Sequence, residues 1–336
     1  MKRIVVCGAG GFIGGHLVSR LKKDGHWVRG VDIKFNEFKK TDADEFLIAD
    51  LRDPVKVDVT IDETIDEVYQ LAADMGGSTY INTGEHDSDV MHNSCIINLN
   101  VLKTCSMKNV TKIFYSSSAC VYPEYNQLDP DNPKCSEDTT YPAEPDSEYG
   151  WEKLFSERLY KAFERNHGLN VRIARFHNIY GPLGTFDGGR EKAPAAICRK
   201  IIEAKIKKNK NIEIWGDGTQ TRSFLYIDDC IQGTLDVFNS NSNEVFNVGS
   251  EEQVSINQMI EIIEDVANYK VNKNYQLDKP KGVRGRSSDN SFIQKQIGWK
   301  HTHTLKEGLI KTYNWISNQI ESGTNISKFS KSSIEN

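Results

Sequence analysis

The stretch "VVCGAGGFIGGHL" near the N-terminus constrains this chain more than any other. It places Gly8, Gly11 and Gly14 at a G-x-x-G-x-x-G spacing, between an apolar run at 2–7 and a helical pattern near 12–24. Glycines at such a turn let the backbone approach a pyrophosphate, whose charge then sits at the helix N-terminus together with the first helical residues, here Phe12 and Ile13. Ile13 also stands where the stricter G-x-G-x-x-G pattern, counted from Gly8 and Gly10, would want its third glycine. A tight strand-to-helix turn without a ligand satisfies the same pattern, so the turn needs company.

That company follows along the chain. Further apolar runs at 27–32, 66–71, 112–117 and 170–175 alternate with helical patterns near 85–107 and 147–167. This is the order of an α/β, doubly wound parallel (Rossmann) sheet. "VRGVDIK" ends the second run with Asp32, where a carboxylate accepts hydrogen bonds from ribose hydroxyls and repels a 2′-phosphate, so NAD is expected rather than NADP. "IADLRD" supplies Asp50 and Leu51 at the adenine edge, although Asp50 equally suits a helix cap. After residue 177 the texture turns to loops rich in Gly, Pro and Asp, with helices near 191–206 and 227–239 and a strand at 245–248. The division expected is a cofactor-binding domain at 1–177, a second, smaller α/β substrate lobe at 178–320 with 223–250 packing back on the first, and a polar tail at 321–336.

The chain has 336 residues, 38% hydrophobic and 26% charged, enough for a sizeable core. A net charge of −5 without a basic stripe or polybasic run argues against nucleic acid and membrane surfaces and leaves a small molecule as the partner. The apolar run at the N-terminus is broken by glycines too early for a secretory signal. Seven cysteines without a CxxC pair or metal-like clustering fit a reduced, cytoplasmic setting and no metal site.

"SEYGWEKLFSERLY" carries Tyr149 and Lys153 at i and i+4, on one helix face. An ammonium near a phenol stabilises the phenolate and makes it a usable base. "YSSSA" supplies Ser118 for the same substrate oxygen. Together these motifs resemble the extended short-chain dehydrogenase/reductase family of nucleotide-sugar enzymes, over roughly residues 1–320. Gly11 and Gly14 match that family's own glycine pattern. The resemblance implies that Tyr149, Lys153 and Ser118 handle a sugar hydroxyl while NAD takes its hydride, with Tyr149 and Lys153 also holding the cofactor.

In the 4,6-dehydratases of this family the strand end matching Ser118-Ala119-Cys120 reads Thr-Asp-Glu. Ala119 removes the acid that elimination needs, and Cys120 stands where a base is wanted. A C4 ketone acidifies the hydrogens on C3 and C5, and a thiolate can remove them. Reprotonation from the other face needs an acid, for which "GGREKAPAAICRK" offers Lys192, with Glu191 and Lys200 nearby. The blocks "MGGSTYI", "SSACVYPE", "EPDSEYGWEK", "RFHNIYGP", "GGREKAP", "WGDGTQTRSF" and "GVRGRSSDN" resemble the branch of the family that epimerises GDP-mannose at C3 and C5. That likeness implies that Met75 and Gly77 line the sugar pocket, that Asn178 binds a hydroxyl or phosphate, and that Gln220 and Arg286 hold the diphosphate or ribose. His177 beside Asn178 reads as a packed core histidine. The implied products are a GDP-L-galactose-type sugar and its C5 epimer precursor, GDP-L-gulose.

Two other readings remain compatible with these residues. One is a C4 epimerase of another nucleotide sugar, which needs Tyr149 and NAD but not the thiol and amine; the other is a catalytically silent NAD-binding protein. The family also implies a homodimer through the helices at 85–107 and 147–167.

Overall fold

The computed structural model describes residues 1–81, 83–108, 110–279 and 282–323, so all but the start of the expected polar tail lies outside the described residues. Its first half runs β1 (Arg3–Cys7), α1 (Phe12–Lys23), β2 (Trp27–Asp32), β3 (Glu45–Ile48), α2 (Pro54–Thr60), β4 (Glu67–Gln70), α3 (Ser78–Ile81), α4 (Asp87–Met107), β5 (Lys112–Ser118), α5 (Glu148–His167) and β6 (Val171–Phe176). The strands are short runs rich in β-branched and aromatic residues, apolar on both faces, as strands covered by helices on two sides must be. Helix ends follow local chemistry. Ser147 caps α5 by accepting from Gly150 N–H, and Gly168 closes it in the left-handed conformation.

The second half contains β7 (Ile179–Tyr180), α6 (Ala193–Ile206), β8 (Asn211–Trp215), β9 (Thr221–Ser223), β10 (Leu225–Tyr226), α7 (Ile227–Asn239), β11 (Val245–Val248), β12 (Gln253–Ser255), α8 (Ile256–Ala267), β13 (Asn272–Gln276), β14 (Gly285–Arg286), α9 (Ser291–Ile297) and α10 (Leu305–Glu321). Capping boxes open α8 (Ser255 with Gln258) and α10 (Thr304 with Glu307), each satisfying two backbone N–H groups that a helix start leaves free.

Seven parallel strands form the main sheet in the order β11-β6-β5-β4-β1-β2-β3. The chain leaves this sheet after β6 and returns through α7 to add β11 beside β6. One apolar core fills the face under α1 and α7 and continues into α6, α8 and α10; a second lies under α2, α4 and α5. Outside the main sheet, β7 pairs with β10, β8 pairs with β13, and β9 lies between β12 and β14. Strand order reverses between β1 and β4, and the crevice beyond their C-terminal ends is where open α/β sheets bind ligands. Among the described residues no helix is long and apolar enough to cross a membrane.

Candidate active site

At the switch point the backbone itself forms a cradle. Gly8 has φ +82°, and a Cβ on Gly14 would lie 2.1 Å from Gly8 O, so α1 approaches β1 more closely than any side chain allows. Gly11, the residue before α1, brings no capping side chain, and the first N–H groups of the helix stay open to an anion. Asp32 ends β2 with one carboxylate oxygen on Gly10 N–H at 2.9 Å and the other on Lys34 N–H at 3.3 Å; burial raises its pKa. The cavity beside it is lined by Gly10, Phe12, His16, Lys34, Asn36 and Thr185, and Asn36 Oδ1 is buried there without a partner among the described residues. A cradle closed to any Cβ, free helix N–H groups, a carboxylate and an unsatisfied amide oxygen fit a dinucleotide. Leu51 is buried, while Asp50 is engaged by the backbone N–H and guanidinium of its neighbour Arg52. Asp50 does not cap α2; Asp53 does, by accepting from Val55 N–H at 2.9 Å.

The C-terminal end of β5 carries the next group. Ser118 accepts Cys120 N–H at 3.2 Å and so caps the single 3₁₀ turn Ala119–Val121, which sets Cys120 at the floor of the cleft. The start of α5 brings Tyr149 against it, within reach of the Ser118 hydroxyl. Burial drives the Tyr149 phenol up, the Cys120 and Glu152 charges add to this, and the Ser118 hydrogen bond opposes it. One turn on, Lys153 Nζ donates to Ser116 O at 3.0 Å and lies 5.6 Å from the Tyr149 ring centroid. Burial lowers the pKa of this amine, and the Glu152 carboxylate works the other way.

The remaining groups arrive from far along the chain. From β14, Arg286 donates from Nη1 to Cys120 Sγ at 3.1 Å, from Nη2 to Asp146 Oδ1 at 3.1 Å and from Nε to Gln127 Oε1. Gln127 is itself aimed by its amide on the Tyr122 and Pro123 carbonyls. Three of the guanidinium's five donors are thus engaged and two are left for a ligand. Arg222 pairs with Arg286 across β9 and β14; burial, then the neighbouring guanidinium, brings its pKa down to about 10. Lys192, the residue before α6, lies deep in the cleft with part of its surface open. Burial lowers the pKa of its amine; the Cys120 sulfur opposes and Arg286 reinforces this, so amine and thiol share one electrostatic site.

Other expected residues are placed differently. Met75 stands exposed at the rim. Gly77 touches the loop before α6, since a Cβ there would lie 2.7 Å from Glu191 O. Asn178, at φ +47°, donates to Ser223 O at 2.9 Å. Gln220 donates to Trp215 O at 3.3 Å, and its Oε1 is buried without a partner among the described residues. Glu191 folds onto its own loop, accepting Gly189 N–H at 2.6 Å and Arg199 at 3.4 Å, and Lys200 donates to Glu213 O at 2.8 Å. His177 is fully buried, with Nε2 on Asn247 Oδ1 at 2.9 Å and its pKa lowered to about 3, chiefly by burial. Arg222, Gln127, Asp146 and Asn36 were missed by the sequence reading. Only Asn36, four residues past Asp32, carried a local signal.

Comparison with known proteins agrees with this geometry. The chain is 43% identical to GDP-mannose 3,5-epimerase of Arabidopsis thaliana, over 99% of this chain and 88% of that protein. It is 44% identical to GDP-mannose 3,5-epimerase 1 of Oryza sativa subsp. indica, over 95% and 82%. The crystal structure of UDP-glucuronic acid 4-epimerase from Bacillus cereus in complex with UDP-glucuronic acid and NAD superposes with a TM-score of 0.77 at 28% identity, covering 94% of this chain and 99% of that one. Residues 4–249 match the sequence pattern of the NAD dependent epimerase/dehydratase family, and the chain belongs to that family.

Proposed function

We propose that this protein is a redox-neutral epimerase of GDP-mannose that inverts C5 and then C3, giving a GDP-L-galactose-type sugar with GDP-L-gulose as the C5 epimer. The observation that carries the reading is the shared electrostatic site of the Cys120 thiol, capped by Arg286, and the Lys192 amine. A pure C4 epimerase has no use for that pair. The names of the relatives at 43% and 44% identity point the same way.

The cradle of Gly8, Gly11, Phe12, Ile13 and Gly14 with Asp32 would hold the NAD, which would supply a reversible hydride acceptor for C4. Tyr149 is hydrogen-bonded to Ser118, and burial pushes its phenol up. Once the Lys153 ammonium and a cationic nicotinamide offset that burial, it takes the proton of the C4 hydroxyl and later gives it back. The C4 carbonyl acidifies C5–H and C3–H. Cys120 removes each proton from one face, with Arg286 as counter-charge, and Lys192 delivers a proton to the other. An amine whose pKa is lowered by burial gives up its proton more readily than an exposed lysine. Ala119 puts a methyl group where elimination would need an acid. Asn178, Gln220 and the two free donors of Arg286, joined by Arg222, bind the rest of the substrate, so the segment 178–320 outside 223–250 serves as the sugar lobe.

The protein acts as a homodimer through α4 and α5, on which Leu99, Trp151 and Phe155 remain exposed; a monomer by light scattering at micromolar concentration would remove this part. Free thiols at all seven cysteines suit a cytoplasmic enzyme. The reading is tested by incubating the NAD-loaded enzyme with GDP-mannose and analysing the sugar by NMR. Conversion to a C3,C5 epimer is expected. Unchanged GDP-mannose after prolonged incubation supports the silent NAD-binding alternative.

A further inference from the structure

Tyr80, in α3, stands where two segments without shared secondary structure meet. It packs against the small cluster of Ile81, Val90, Cys120 and Tyr149, so it touches the group that carries the thiol. Its hydroxyl donates to Asp74 Oδ1 at 2.9 Å. Asp74 is held by Asn93 Nδ2 at 2.7 Å and by its own N–H on Ser94 Oγ at 3.1 Å, which ties the ring to α4. The ring also stacks on His86, centroids 4.1 Å apart.

The Arg190 guanidinium lies 4.3 Å from the centroid of that ring. Arg190 is two residues before Lys192, on a loop whose backbone meets this segment directly: a Cβ on Gly77 would be 3.1 Å from the Arg190 carbonyl. Upstream, Gly188 and Gly189 have φ of +91° and +86° and nothing within 4 Å of an added Cβ, and their N–H groups donate only within the loop, to Asp187 and Glu191. Its outer side is held by Glu191 on Arg199.

We propose that the stack of Arg190 on Tyr80 is a positioning contact that sets the spacing between the Cys120 thiol and the Lys192 amine. The ring is fixed to the thiol's cluster and the guanidinium to the amine's loop, beside the backbone contact of Gly77 with Arg190 and Glu191. Neither residue touches the reacting carbons in this assignment. The inference rests on the epimerase reading for its consequence, and on geometry alone for its existence.

The test uses full-length, NAD-loaded enzyme with Arg190→Ala and Arg190→Lys. The first readout is amide hydrogen exchange at Tyr80 and Ile81, whose N–H groups donate to Gly77 O at 3.0 and 3.2 Å. An exposed cation–π contact corresponds to roughly a threefold shift in a local opening equilibrium, so exchange in Arg190→Ala should be about threefold faster. The second readout is GDP-mannose in D2O. Cys120 still exchanges the C5 hydrogen, but Lys192 meets the opposite face less often, so label in recovered GDP-mannose rises about threefold relative to label in epimer. The lysine variant keeps the cation and restores both values. An alanine variant identical to wild type in either readout, or a lysine variant no better than alanine, overturns the proposal. If the wild-type enzyme puts no label into either GDP-mannose or an epimer, the functional reading fails, and hydrogen exchange alone judges the stack.

Discussion

The two ends of the cleft are assembled in opposite ways. At the cofactor end most of the cradle comes from one stretch of chain, and Gly10 and Asp32, joined by a hydrogen bond, are 22 residues apart. At the sugar end the thiol of Cys120 is held by a guanidinium 166 residues away, and the Arg286 carboxylate partner, Asp146, is 140 residues from it. The first site is made mostly of backbone, the second mostly of side chains on separate elements. A backbone site is sensitive to substitution chiefly at the glycines that bring the chain close. A side-chain site loses its chemistry one group at a time while the scaffold stands.

Substitutions should therefore separate the two ends. Cys120→Ser keeps the 3₁₀ turn and the cofactor cradle but removes the sulfur, and turnover of GDP-mannose should fall by about 10² to 10⁴ with bound NAD unchanged. Loss of NAD along with activity, measured by absorbance of the released cofactor, would show that the ends are not independent. Gly14→Ala is the reverse case. Its Cβ meets Gly8 O at 2.1 Å, and overpacking of this kind costs about 1–3 kcal/mol, so cofactor retention should weaken roughly tenfold or more while Cys120 stays in place.

His177 tests the seam between the two ends. It is neutral in the fold, with its pKa lowered from 6.5 to about 3, and the unfolded chain binds a proton there below its ordinary value. The unfolded state then holds more protons, so stability falls as pH drops through 6.5. Between pH 7 and 5 this single group accounts for roughly 2 kcal/mol. A His177→Gln variant should lose that part of the pH dependence in urea unfolding; an unchanged slope would place the effect elsewhere.

The same contrast explains what the sequence shows by itself. The strand runs, the helix at Glu148–His167 and the glycine turn follow from periodicity and local chemistry, and their limits agree with the structure to within a few residues. Tyr149 and Lys153 share a face because a helix repeats every four residues or so. Asp53 rather than Asp50 caps α2 because Pro54 begins the helix, a choice of three residues that composition does not resolve. Arg222, Gln127 and Asp146 carry no local pattern. They gather around Arg286, and through it the thiol, only because β9, β14, the turn ending at Gln127 and the loop before α5 pack together, and side-chain contacts at such separations leave no periodic trace.

The central claim is that hydrogens on the carbons flanking C4 pass through Cys120 and Lys192. It is tested most directly by locating deuterium in the sugar after incubation with GDP-mannose in D2O. The account predicts label at C5 and C3 and none at C4, with the C5 signal appearing first. Product formed without label at either carbon would contradict it.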